Sequence, residues 1–136
     1  LSPQFQATAL ALAGGEAVLA REGRRDWLYA RDAAEGLLAL RDAPAPVPPL
    51  VNVAPGRETT VAEWCVRLAA RYPGFRWRLA APGEAPSVDL HGAQDRRPLA
   101  VARLASLGHH SVWDLDRSFA DYVDWVAANR SLVASR

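Results

Sequence analysis

Gly23-Arg24-Arg25-Asp26-Trp27-Leu28-Tyr29-Ala30-Arg31-Asp32-Ala33-Ala34-Glu35-Gly36 places a charged turn, an aromatic-rich run and a helix start side by side. The turn at residues 21–25 leads into Asp26-Trp27-Leu28-Tyr29-Ala30, which reads as a short strand because aromatic residues suit a pleated, half-buried surface. Asp32 followed three residues later by Glu35 reads as a helix cap, with Leu37, Leu38 and Arg41 continuing the helix. An Arg at a strand end beside aromatics fits an anion clamp, since guanidinium presents a rigid fork of donors to carboxylate or phosphate. On composition alone, a surface pairing of the same Arg with Asp26 or Asp32 accounts for the cluster more simply.

Outward from this stretch, helices and short strands alternate. Ser2-Pro3 opens a helix that Gly14-Gly15 ends, with Phe5, Ala9 and Leu12 at helical spacing. Ala17-Val18-Leu19-Ala20 reads as a strand. Pro44, Pro46, Pro48 and Pro49 make an extended loop. Leu50-Val51-Asn52-Val53 then reads as a strand buried on both faces. Thr60 with Glu63 forms a capping box for a helix with Val61, Cys65, Leu68 and Tyr72 on its apolar stripe, and Pro73-Gly74 stops it. Phe75-Arg76-Trp77-Arg78-Leu79 alternates as a strand, with Arg76 and Arg78 on a solvated face. Residues 80–92 form a loop. A helix is expected from Pro98 to Gly108, and a last one capped by Asp116 with Phe119, Val123, Val126 and Ala127 inward. Such alternation argues an α/β fold with some parallel pairing.

Composition narrows the chemistry. The chain has 136 residues, a net charge of +1 and no Met, and all sixteen of its cations are Arg. Near-neutrality gives no field to attract nucleic acid or a membrane surface, and neither partner is expected. Without Lys, Schiff-base and lysine-assisted tyrosine mechanisms are closed to this chain alone. No run approaches a membrane span and no leader is recognisable, so a cytoplasmic location is expected. The single Cys65 and the histidines His91, His109 and His110 have no metal-ligand spacing, so no metal is expected. Cys65 and the five Trp residues read as packing groups, and His109-His110 as surface turn residues. His91, near Asp89 and Asp95 in the long loop, is a candidate site residue.

The run Gly23 to Gly36 resembles the "RDxxxVxDxAxG" segment of the extended short-chain dehydrogenases/reductases, the NAD-dependent epimerase/dehydratase family. Leu50-Val51-Asn52-Val53-Ala54-Pro55-Gly56 resembles that family's "YNVGxG" strand. Asp95 through Gly108 resembles its "DxxRxxxxLG" helix, and Leu115 to Trp125 its final helix. The likeness implies a C-terminal region, residues 1–136, combining part of a Rossmann-type fold with a small α/β substrate-binding subdomain. The N-terminal half, holding the cofactor loop and the catalytic Tyr and Lys, would precede it; the missing Met accords with that expectation. The complete enzyme would bind NAD or NADP, mainly through that half, and move hydride at a hydroxyl carbon of a sugar or sugar acid.

The resemblance further implies substrate contacts from Arg25, and also Tyr29 and the loop containing His91, with no catalytic residue in this chain. The expected partners are a small anionic sugar-like substrate and the N-terminal half of the same enzyme; homodimerisation is left open. Nucleotide-sugar members carry a second Arg before Pro-Gly-Asp/Glu, where this chain has Ala80-Ala81-Pro82-Gly83-Glu84. Loss of that charge-assisted pair, about 1.5–3 kcal/mol, favours a singly anionic substrate over a diphosphate. The alternative is a stand-alone binding or interaction domain.

Overall fold

A computed structural model describes residues 1–44 and 46–130. In chain order the elements are α1 (Pro3–Leu12), β1 (Glu16–Leu19), β2 (Arg24–Arg25), α2 (Ala30–Asp42), β3 (Thr59–Thr60), α3 (Val61–Arg71), β4 (Arg76–Leu79), α4 (Ala102–Ser106) and α5 (Leu115–Ala128). The α/β class expected from the alternation is the class found, and the pairing of β1 with β4 is parallel. The chain divides into two compact units. The first comprises Leu1–Arg24, Thr60–Asp95 and the described residues from Phe119 on; the second comprises Arg25–Thr59 and Arg96–Ser118. β2 and β3 pair with each other, and two of the four boundaries between the units fall within them, at residues 24/25 and 59/60.

In the first unit, α1 begins as its sequence dictates. The Ser2 hydroxyl accepts from the Phe5 amide at 3.2 Å, and Pro3 occupies the first turn, where its missing N–H costs nothing. Its buried face is Pro3, Ala7, Thr8 and Ala11, one step round from the expected Phe5, Ala9 and Leu12. Small residues win that face because α1 packs closely on α3 and β1. The capping box of α3 is complete: Glu63 N–H donates to the Thr60 hydroxyl at 2.9 Å, and the Thr60 N–H donates to Glu63 Oε2 at 2.7 Å. Val61, Trp64, Cys65 and Leu68 are buried, and the Trp64 indole meets Phe119 and Tyr122 edge-on with centroids at 5.0 and 5.5 Å. β1 and β4 pair in register Glu16 with Arg76 through Leu19 with Leu79. On the other side of β1, the Ser87 and Val88 amides donate to the Val18 carbonyl.

The second unit departs more from expectation. Residues 26–29 are not a strand; β2 ends at Arg25 and α2 starts at Ala30, with Tyr29 as an N-cap that supplies no side-chain bond. Asp32 is therefore not a cap. It lies inside the first turn, almost wholly buried, and accepts from the Ser111 hydroxyl and the Val112 amide. Residues 50–53 also form no strand, and Leu50 is exposed. Side chains bind this segment instead of a ladder: Asn52 donates to the Ala100 carbonyl and Arg103 to the Leu50 carbonyl.

The helix expected from Pro98 is the shorter α4, with Leu104 buried and Gly108 at positive φ beyond its end. The cap of α5 is Asp114, which accepts from the Arg117 amide at 2.8 Å, with Asp116 inside the first turn. Val123 and Val126 are buried as expected, whereas Ala127 is exposed. Among the described residues no helix is long and apolar enough to cross a membrane.

Candidate functional site

The second unit assembles the stretch that carries Arg25 and Tyr29. Arg25 is half-buried at the end of β2, with its guanidinium 5.6 Å from the Trp27 ring centroid. Contact with an indole face removes water from one side of the cation, and the planar fork of a guanidinium is of the kind that suits a carboxylate or phosphate. One carboxylate oxygen of the neighbouring Asp26 accepts from the Leu99 amide at 2.8 Å.

Tyr29 is brought against Trp113, ring centroids 5.0 Å apart and planes tilted by 45°. Trp113 is itself held on several sides. Its Nε1 donates to Glu35 at 3.1 Å, its carbonyl accepts from Arg57 at 2.7 Å, and the guanidinium groups of Arg117 and Arg31 lie 4.0 and 5.6 Å from its ring. The buried Asp32 anchors Ser111 and Val112 immediately before it. Trp113 was expected only as a packing residue. It stands outside any periodic segment, and its only local signal is being an isolated aromatic just before a helix.

His91 belongs to the first unit and has a different setting. Its backbone lies at φ +55°, its Nδ1 is 3.2 Å from Asp89 Oδ2, and its Nε2 is 2.9 Å from the Leu1 carbonyl. Asp95, expected nearby, is joined to Arg21 at 2.7 Å and to the Arg24 amide at 3.0 Å. The structure thus places Arg25 and Tyr29 in one unit and His91 in the other.

The remaining candidates are accounted for locally. Arg78, expected on a solvated strand face, meets Glu84 at 2.7 and 2.6 Å and Glu16 at 3.3 Å. Both acids come from outside its own strand, one across the parallel pair and one from the following turn, where strand periodicity cannot show them. Burial pushes the Cys65 thiol up to about 12, so it stays protonated and unreactive. His109 lies close behind Gly36, 3.5 Å from where a Cβ there would sit. Among the described residues no group of three His, Cys, Asp or Glu side chains could hold a metal. An open cleft of about 450 Å³ in the first unit is lined by Gly14, Gly15, Glu16, Gly74 and Arg76, none of them an expected contact.

Among the described residues, neither parallel strand opens a Rossmann-type cofactor loop. A Rossmann cofactor loop is a glycine-rich turn between a parallel strand and the helix it opens. Here β1 runs on to Arg21 and β2, and β4 runs on to the Pro82-Gly83 turn; neither parallel strand opens a helix through glycines.

No protein-family model matches the chain, and no curated protein does. Solved structures do match. The Bordetella bronchiseptica enzyme WbmF in complex with NAD+ and UDP aligns with TM-score 0.74 and 18% identity over 98% of this chain and 38% of its own. WbmF in complex with NAD+ gives 0.73 and 18% over the same shares. WbmF in complex with NADH gives 0.70 and 20%, covering 95% of this chain and 37% of WbmF. The chain therefore spans rather more than a third of the length of WbmF. What it has in common with WbmF is the fold: this chain is folded as one α/β portion of that larger enzyme.

Proposed function

We propose that the chain is the substrate-binding part of an NAD(P)-dependent oxidoreductase or epimerase of the extended short-chain dehydrogenase/reductase family. The observation that carries this reading is the alignment of nearly the whole chain with little more than a third of WbmF, whose structures hold NAD+ and UDP. The order of the family-like motifs along the chain supports it, as does the lack of a cofactor loop of its own. Exposed apolar side chains on α2, Leu37 and Leu38, together with Leu50 at 67% exposure, are the kind of surface an N-terminal half would cover. NAD or NADP belongs to that half, and no chemical step is assigned to this chain.

The chain's own contribution is binding. Arg25 is the anchor for an anionic, sugar-like substrate and Tyr29 a neighbouring contact held in place by Trp113. His91 is the third contact, and its ring meets a ligand only after leaving Asp89 or the Leu1 carbonyl. The Pro-Gly turn has Ala80-Ala81 in front of it, and Arg78 nearby is committed to Glu84. One anionic group on the substrate, as in a sugar acid, is therefore favoured over a diphosphate.

The test uses the protein with its upstream sequence. Arg25→Ala should raise KM for the anionic substrate by roughly tenfold or more while leaving the Kd for the dinucleotide unchanged, since a charged hydrogen bond contributes about 1.5–3 kcal/mol. An unchanged KM across a panel of sugar acids and nucleotide sugars would overturn the assignment. A chain that melts cooperatively alone and binds ligands without any N-terminal half would point to a binding domain instead.

A further inference from the structure

Residues 26–29 lie between Arg25 and Tyr29 and belong to no helix or strand. Ladder pairing ends with β2 at Arg25, so the course of the chain beyond it must be set by side chains. Asp26 does this. Its Oδ2 accepts from the Leu99 amide at 2.8 Å, a bond between residues 73 apart in the sequence and both in the second unit. Its other oxygen, Oδ1, is closed off from solvent and has no hydrogen-bond partner among the described residues. The Leu99 amide is thus the hydrogen bond that holds this carboxylate.

The segment that receives Asp26 is itself anchored at several points. Asn52 donates to the Ala100 carbonyl at 2.9 Å, and Arg103 to the Leu50 carbonyl at 2.8 Å. Val101 sits so close over Gly56 that a Cβ there would lie 2.6 Å from Val101 Cγ2. On either side of Asp26, Arg25 and Trp27 come together, the guanidinium 5.6 Å from the ring centroid. Backbone freedom resides in φ and ψ, so the meeting of side chains two residues apart depends on those angles at the residue between them. That residue is the one tied to Leu99.

We propose that Asp26 is a positioning residue for Arg25: its bond to the Leu99 amide fixes the backbone between Arg25 and Trp27 and so keeps the guanidinium against the indole, where it meets the anionic group of the substrate. That role rests on the reading of Arg25 as the substrate anchor. Asp26 acts through one acceptor oxygen and not through its charge. An amide of the same shape, which retains an acceptor oxygen for Leu99, therefore replaces it, whereas a methyl group does not.

The experiment uses the protein with its upstream sequence and measures KM and kcat on the same panel of sugar acids and nucleotide sugars as Arg25→Ala. Asp26→Ala should raise KM about three- to tenfold, the contribution of one hydrogen bond, with kcat and the dinucleotide Kd unchanged. Asp26→Asn should stay within about twofold of wild type. Because Asp26 acts through Arg25, adding Asp26→Ala to Arg25→Ala should raise KM no further. A merely structural role would lower kcat as well, or add its effect to that of Arg25→Ala. If Arg25→Ala itself leaves KM unchanged, the anchor and the positioning role are both overturned. If Arg25→Ala raises KM but Asp26→Ala does not, if the two effects add, or if Asp26→Asn is as impaired as Asp26→Ala, the positioning role alone falls. Should Asp26→Ala lack a thermal transition, Asn52→Ala takes its place under the same criteria, since releasing the Ala100 carbonyl loosens the segment that receives Asp26.

Discussion

Trp64 and Thr8 are joined by a buried hydrogen bond between α3 and α1: the indole Nε1 donates to the Thr8 hydroxyl at 3.1 Å, and that hydroxyl donates to the Gln4 carbonyl at 2.7 Å. Thr8 thereby satisfies a donor on a neighbouring helix and an acceptor on its own. Thr8→Val keeps the shape and leaves a buried indole N–H without a partner, which costs about 1–3 kcal/mol. Thr8→Ser, which retains the hydroxyl, should lose clearly less. Urea denaturation of the two variants checks this, and equal losses would show that only the methyl group matters.

Gly23 is the first residue of the stretch from Gly23 to Gly36. Its φ is +71°, and a Cβ there would lie 2.9 Å from Leu90 Cδ2 and 3.0 Å from Val61 Cγ2. Gly23→Ala therefore combines left-handed strain with overpacking, each about 1–3 kcal/mol. Gly83, at φ +81° with nothing within 4 Å of its Cβ position, supplies the comparison. Gly83→Ala should cost only the backbone strain, about 1–2 kcal/mol. A thermal midpoint that falls as far for Gly83→Ala as for Gly23→Ala would refute the packing half of the account.

The Arg78–Glu84 pair predicts an acid transition. Arg78 and the Ala81 amide hold the Glu84 carboxyl at about 2, well below its ordinary 4.5. A depressed value means that the folded state favours the ionised form. The stabilisation is complete above pH 4.5 and is lost as pH falls toward about 2. Because the pair is exposed to solvent, the effect should be modest and should shrink in salt. Thermal melts of Glu84→Gln should lack this part of the pH dependence; identical acid profiles for wild type and variant would contradict it.

Cys65, buried on the inner face of α3 with its thiol pushed up to about 12, should react with a disulfide reagent at pH 8 only when the chain opens. The labelling rate should rise with urea in parallel with unfolding. Rapid labelling in the absence of denaturant would show that α3 is not seated as described.

Much of the local structure was legible in the residues themselves. The capping box of Thr60 and Glu63, the Ser2-Pro3 start of α1 and the glycine stop after α4 rest on contacts within four residues, so spacing alone reveals them. The α/β class with parallel pairing was legible for a similar reason, since alternating periods reflect which face each element buries. Residues 26–30 and 50–53 misled because aromatic and apolar runs suit strands, and whether a strand forms depends on a ladder partner that no local pattern can guarantee.

The candidate site divides along the same line. By itself the sequence determined that Arg25 lies among aromatics, that this chain has no Lys to offer, and that it reads like part of a family enzyme. Only the tertiary structure decided that Asp32 is a buried anchor for Ser111 and Val112 and not a cap, and that Trp113 meets Tyr29. It also decided that Arg78 belongs to Glu84, and that both nitrogens of His91 face acceptors. The reason is physical: each of these last relationships is a side-chain contact whose geometry is set by the packing of the elements that bear it. Sequence spacing fixes the face of a helix or strand, whereas the partner opposite that face is chosen by where the rest of the chain comes to lie.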